Sequence, residues 1–220
     1  MQSSWEICEY KETDLCSKYC EGPELICNEV SDPSKLFDGY MQVINERDYL
    51  IERLHNDDLT GLHNKSTFME RAQAYLEASH NSEKTIGLIV LDINNFKHFN
   101  EEKGHLEGDT LLSELGSELK QQLRYNDLLI ARFGGDEFLF LCDLEPRNSD
   151  TLLTSAERLE AVMARITEPV NECLKSRARY LSGAFGGSLW DGKQTLNELI
   201  VVADRSMYLD KRNKKLPFTD

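Results

Sequence analysis

Two apolar runs, residues 128–133 and 138–142, are joined by nothing more than Gly134-Gly135-Asp136-Glu137. That composition reads as a β-hairpin, whose glycines permit tight backbone angles and leave room for a ligand at the turn. A third apolar run, 86–91, ends on Asp92, so a carboxylate emerges where a buried strand meets solvent. If the hairpin pairs beside that strand, Asp92, Asp136 and Glu137 converge. Three acids so close are tolerable when they hold a divalent cation, and hard oxygen ligands favour Mg²⁺. Carboxylates around Mg²⁺ are the usual apparatus for moving phosphoryl or nucleotidyl groups. Lys97, Asn100, His105 and Asp109 follow closely, and Lys211 and Lys215 lie toward the C-terminus, where lysines would neutralise triphosphate charge. Taken alone, the turn could equally be a solvated hairpin.

The rest of the chain supplies helices for such a sheet. Helical spacing predicts helices over 64–79 with Asn64 as N-cap, over 106–124, over 151–167 closed by Pro169, and over 195–212. A strand is predicted over 180–185. The order α-β-α-β-β-α-β-α predicts an α+β fold, with helices on a mixed, largely antiparallel sheet. Upstream, Phe37, Ile44 and Ile51 recur every seven residues beside Leu36, Tyr40, Val43, Leu50 and Leu54, interrupted by Arg47. This predicts a helix over 36–55, either a dimerising coiled coil or a helix packed on its own domain. The chain thus divides into 1–35, 36–55 and 56–220.

The 220 residues carry 25 Lys and Arg against 39 Asp and Glu, a formal charge of −14, which disfavours nucleic-acid partners. The apolar runs fall far short of the roughly 18–20 residues of a membrane helix, and residues 1–6 lack the basic start and apolar stretch expected of a signal peptide. A soluble, cytoplasmic protein with no membrane partner is expected. Four of six cysteines, Cys8, Cys16, Cys20 and Cys27, fall in the first 35 residues, spaced C-x7-C-x3-C-x6-C. Reduced thiols in such a cluster suit Zn²⁺ or an iron–sulfur cluster, or are ordinary thiols of a small sensory segment. Cys142 and Cys173 read as core or surface residues.

Five ordered motifs carry a family resemblance over residues 56–216. Gly134-Gly135-Asp136-Glu137-Phe138 resembles the signature of the GGDEF family of diguanylate cyclases. Asp58-Leu59-Thr60-Gly61-Leu62-His63-Asn64-Lys65 resembles its opening motif, with Lys where Arg is usual. Leu91-Asp92-Ile93-Asn94-Asn95-Phe96-Lys97 followed by Asn100 resembles its metal and substrate segment. Gly104-His105-Leu106-Glu107-Gly108-Asp109 resembles the next substrate motif, and Ala203 to Lys211 the closing helix.

The resemblance implies a GGDEF, nucleotidyl-cyclase-like domain that condenses two GTP into cyclic di-GMP and two pyrophosphates across a homodimer. It implies Mg²⁺ or Mn²⁺ held by Asp92, the Ile93 carbonyl, Asp136 and Glu137. Asp136 would assist deprotonation of the 3′-hydroxyl, directly or through the metal. Asn100 and Asp109 would contact guanine, His105 the substrate, and Lys97, Lys211 and Lys215 the phosphates. An acid accepting from guanine's N1–H and N2 amine would reject adenine. Asn94 and Glu101 depart from common family residues without removing a principal ligand, and Leu216 stands where the closing motif commonly has Asn. Arg124-Tyr125-Asn126-Asp127 has the composition of the family's R-x-x-D product-inhibition site, but one extra residue separates it from Gly134. In a strand, such a shift turns side chains to the other face unless a bulge absorbs it. The alternative function is a non-catalytic GGDEF module that binds nucleotide and acts through protein contacts.

Overall fold

The computed structural model describes residues 33–80, 82, 84–122, 127–146 and 152–214, so the cysteine cluster, Arg124 and Lys215 lie outside it. The chain forms two units, 1–52 and 53–220. Helix α1, Pro33–His55, spans the expected 36–55 and leaves Tyr40, Val43, Leu50 and Leu54 exposed along one heptad-spaced seam.

The second unit is built on a five-stranded sheet. In chain order its elements are β1 (His63–Asn64), α2 (Lys65–Ser79), β2 (Ile86–Asn94), α3 (Phe96–Lys103) and α4 (His105–Gln122). They continue with β3 (Asp127–Gly134), β4 (Glu137–Asp143), α5 (Ser155–Arg177), β5 (Ser182–Leu189) and α6 (Leu196–Lys214). The sheet order is β1-β3-β4-β2-β5, with β1 parallel to β3 and every other pair antiparallel. The expected α+β arrangement is therefore present.

Strand β2 explains the layers. Its side chains alternate between faces, and all nine residues are buried. Ile89, Leu91 and Ile93 join Phe138, Phe140 and Phe185 under α3, α4 and α5. Ile86, Leu88 and Val90 join Leu139, Leu141 and Ala184 under α2 and α6. At Gly186 a Cβ would lie 2.0 Å from the Met207 nitrogen and 2.2 Å from the Ala203 carbonyl, so α6 rests directly on the β5 backbone. The outer edge of β5 is covered by side chains. Gly183 N–H donates to Asn171 (2.9 Å), Phe185 N–H donates to Asp210 (2.9 Å), and Lys214 donates to the Gly183 carbonyl (3.2 Å). A covered edge cannot template a foreign strand.

Several boundaries differ from expectation. Asn64 caps α2 as expected, accepting from Thr67 N–H at 3.0 Å. Pro169, however, does not close its helix. Helix α5 begins at the Thr154–Glu157 capping box and runs through the proline to Arg177. Leu159, Ile166, Val170 and Leu174 form one buried stripe across it. That burial outweighs the roughly 3 kcal/mol a mid-helix proline costs. Strand β5 lies two residues later than expected at its start and extends to Leu189. Helix α3 and the two-residue β1 were not foreseen; eight and two residues are too few to show a period.

Strand β3 carries two register shifts. Asp127 faces Cys142 while Leu129 faces Leu141, and Arg132 faces Phe138 while Gly134 faces Glu137. The first is a bulge that absorbs one residue, immediately after the R-x-x-D segment. Among the described residues no helix is long and apolar enough to cross a membrane.

Candidate active site

The acids converge as the register dictates. Asp92, at the end of β2, is paired directly with Glu137, the first residue of β4, and Asp136 precedes it on the hairpin. Gly135 has φ +54°, the left-handed region that glycine enters without strain. The hairpin is braced from outside. Arg132 donates from Nε to the Gly135 carbonyl (2.9 Å) and from a terminal nitrogen to both Asp57 carboxylate oxygens (3.2 and 3.3 Å). Asp57 in turn accepts from the Thr60 N–H (2.9 Å) and hydroxyl (2.8 Å). The turn opening the domain and the acidic hairpin are thus tied through one guanidinium.

The backbone adds a donor atom. The Ile86 carbonyl accepts from Trp190 N–H on the β5 side, so alternation directs the Ile93 carbonyl toward β4. Pairing between β2 and β4 ends at Asp92, and this carbonyl therefore meets the hairpin beyond the ladder. The Ile93 side chain is in the core.

Like charges dominate the electrostatics. Burial first, then the Asp92 charge, pushes the Asp136 carboxyl up from its ordinary value, against Lys211 and Arg132. Glu137 is raised by burial, then by Asp92, Asp136 and Asp204, with Lys211 opposing. The Lys211 ammonium lies 2.5 Å from Asp92, whose side chain is only 9% exposed. Among the described residues no three His, Cys, Asp or Glu side chains already stand in metal-holding geometry. The donor set nevertheless fits a hard divalent cation: Asp136 and Glu137 are raised by burial and by neighbouring acids, and an ammonium sits on Asp92.

Beside the acids, α3 and α4 form a second wall. The Asn100 side chain carries a buried oxygen with no hydrogen-bond partner. A Cβ at Gly108 would lie 1.9 Å from that oxygen, so only glycine leaves room for it. An orphaned buried acceptor costs about 1–3 kcal/mol, which a ligand donor would recover. His105 opens α4 and Asp109 lies one turn on, both exposed. Lys97 is exposed, 3.8 Å from Glu101.

The fold brings together Asp92, Ile93, Asp136, Glu137 and Lys211, with Asn100, His105 and Asp109 on the adjoining helices. Asp127 is the first residue of β3. Sequence reading missed Arg132, Asp57 and Asp204. Asp57 three residues before Thr60 is an Asx-turn pattern that could have been noticed. Its partner Arg132 is 75 residues distant and carries no local signal.

A mixed sheet with an acidic hairpin beside an aspartate-terminated central strand, facing a helical wall with an unpartnered polar group, defines a nucleotide-cyclase-like domain. Residues 54–216 match the family described as "Diguanylate cyclase, GGDEF domain". The chain belongs to the GGDEF family. It is 29% identical over 188 residues to the diguanylate cyclase DgcP of Pseudomonas aeruginosa, covering 84% of this chain and 26% of that protein. The bifunctional diguanylate cyclase/cyclic di-GMP phosphodiesterase MucR of the same species is 32% identical over 160 residues, covering 72% and 22%. The chain thus spans about a quarter of the length of these relatives. The crystal structure of the P. aeruginosa diguanylate cyclase SiaD with its activator SiaC superposes with a TM-score of 0.63 at 27% identity, covering 82% of this chain and 67% of that one.

Proposed function

We propose that this chain is an active diguanylate cyclase, joining two GTP into cyclic di-GMP with release of two pyrophosphates. The observation that supports it best is the direct pairing of Asp92 with Glu137 beside Asp136, with both hairpin acids held above their ordinary range. Asp92, the Ile93 carbonyl, Asp136 and Glu137 are the proposed ligands of Mg²⁺ or Mn²⁺. Bound there, the ion would neutralise triphosphate charge and favour ionisation of the attacking hydroxyl. Asp136 is proposed to accept the 3′-hydroxyl proton, a task suited to a carboxyl raised by burial and a neighbouring acid. Lys211, released from Asp92, would turn to the phosphates with Lys97 and Lys215. Asn100 and Asp109 would receive the guanine edge, with His105 beside them.

Each domain carries one such site, so the reaction needs two chains face to face. The exposed seam of α1 is the proposed dimer contact, with residues 1–35 as its input segment and Cys8, Cys16, Cys20 and Cys27 as candidate ligands of zinc or an iron–sulfur cluster. Elemental analysis of protein purified without oxygen tests that segment: stoichiometric zinc, or iron with sulfide, supports it, and neither overturns it. Arg124 and Asp127 are the proposed product-inhibition site; the bulge after Asp127 supplies the shift that the extra residue requires. The reaction would take place in the cytoplasm.

Incubating the chain with GTP and Mg²⁺ and identifying products by mass spectrometry tests the reading. Cyclic di-GMP from the parent chain and none from Asp136→Ala supports it. No product at concentrations that give dimer, with GTP still bound, would establish the non-catalytic module instead.

A further inference from the structure

Helices α3 and α4 are short-tethered walls, and one connection holds both. The link between α5 and β5 places Arg177 at the end of α5 and Tyr180 just before β5. Tyr180 touches α3 at three points. Its hydroxyl donates to Glu102 (2.5 Å), its ring lies 5.1 Å from the His98 ring, and its carbonyl accepts from the Asn95 side-chain amide (2.8 Å). Residues 95, 98 and 102 share one helix face, and Asn100 projects from the other side. Asn95 is also the joint between strand and helix. With φ +65°, it is the only non-glycine left-handed residue among the described residues, and it joins β2 to α3. Arg177 holds the neighbouring helix, donating to Glu114 (2.8 Å) and lying 3.6 Å from Glu107.

We infer that Tyr180 is a positioning residue for nucleotide-base specificity, clasping α3 so that Asn100 stays fixed against Gly108 and opposite Asp109. This rests on the reading that Asn100 and Asp109 receive guanine. Without the clasp, α3 pivots about Asn95 and the orphaned Asn100 oxygen leaves the place where a guanine amine would meet it. Phosphate binding draws mainly on Lys211 and the acids of β2 and the hairpin, which lie off α3, and on Lys97 close to the Asn95 pivot, so it should change much less. The hydroxyl stays protonated at every physiological pH, because burial and then Glu102 push it up to about 12. The clasp is therefore not a pH switch.

Calorimetric titration of the full chain with three Mg²⁺ complexes tests this: the α,β-methylene analogue of GTP, its adenine counterpart, and inorganic tripolyphosphate. Tyr180→Phe keeps the ring and removes only the hydroxyl. It should weaken the guanine analogue about five- to tenfold, the loss expected when an exposed hydrogen bond of ordinary net strength is removed, and leave tripolyphosphate within about twofold. Glu102→Gln, which retains an acceptor, should stay near the parent, and Tyr180→Phe with Glu102→Leu should be no weaker than either alone. Unchanged guanine affinity in Tyr180→Phe, or equal weakening of guanine analogue and tripolyphosphate, overturns the inference. A parent chain that binds the guanine and adenine analogues equally overturns the base-reading wall itself, and the inference with it.

Discussion

At the scale of single residues, the site is governed by unequal pressures on its carboxylates. Asp57 shows the effect furthest from the proposed chemistry. Burial pushes its carboxyl up, but the Thr60 N–H and hydroxyl and the Arg132 guanidinium outweigh burial and hold it below the ordinary 3.8. The folded state therefore binds this proton less readily than the unfolded chain. The resulting stability is complete above the ordinary carboxylate range and is lost as pH falls through the depressed native value. Asp57→Asn should flatten the loss of stability on acidification, seen as a smaller drop in Tm between about pH 5 and pH 3. An unaltered acid limb would contradict the assigned ion pair. Arg132→Ala should lower both Tm and cyclase turnover, because the Gly135 carbonyl loses its donor and the hairpin its brace. The hairpin acids were legible because glycine, acid and strand signals coincide locally. The brace was not, since its partners meet only through the sheet.

At the scale of elements, the long periodic helices and the hairpin could be read from spacing, and the joints between them could not. Helix α5 is the clearest case: a proline reads as a stop, yet a buried stripe carries the helix past it. Pro169→Ala restores one backbone hydrogen bond and should raise stability by about 1–2 kcal/mol, visible as an upward shift in Tm. A lowered Tm would mean that the proline's geometry is required by the α5–sheet contact. Glycine in α4 makes the opposite prediction. Gly108→Ala improves helix propensity, but its methyl would collide with the Asn100 oxygen, so Asn100 must move. Guanine affinity should fall tenfold or more while the helix stays folded, on the order of 1–3 kcal/mol for overpacking. Wild-type affinity in that variant would show that Asn100 does not need its present seat. The bulge in β3 likewise follows from pairing alone: Asp127 and Leu129 flank one unmatched residue, which only the partner strand can reveal.

At the scale of the whole molecule, a chain of net charge −14 proposed to handle triphosphate must concentrate its cations locally. Lys211 on Asp92 is the visible instance, an ammonium stationed among acids rather than spread over a basic face. Because the proposed reaction needs the sites of two domains, turnover per chain should rise with protein concentration until dimer saturates, and polar substitutions at Val43 and Leu50 on α1 should move that midpoint upward. The fold class and the order of the motifs were legible from the chain's alternation of strand and helix signals. The clasp at Tyr180 and the brace at Arg132 required the assembled sheet.

Cyclase activity is tested most directly by product formation itself. Protein at concentrations spanning the dimer transition is supplied with GTP and Mg²⁺, and nucleotide products and pyrophosphate are counted by mass spectrometry and a coupled assay. One cyclic di-GMP and two pyrophosphates are expected for every two GTP consumed, with no product from Asp136→Ala. GTP bound but never joined, in protein shown to be dimeric, would contradict cyclase activity.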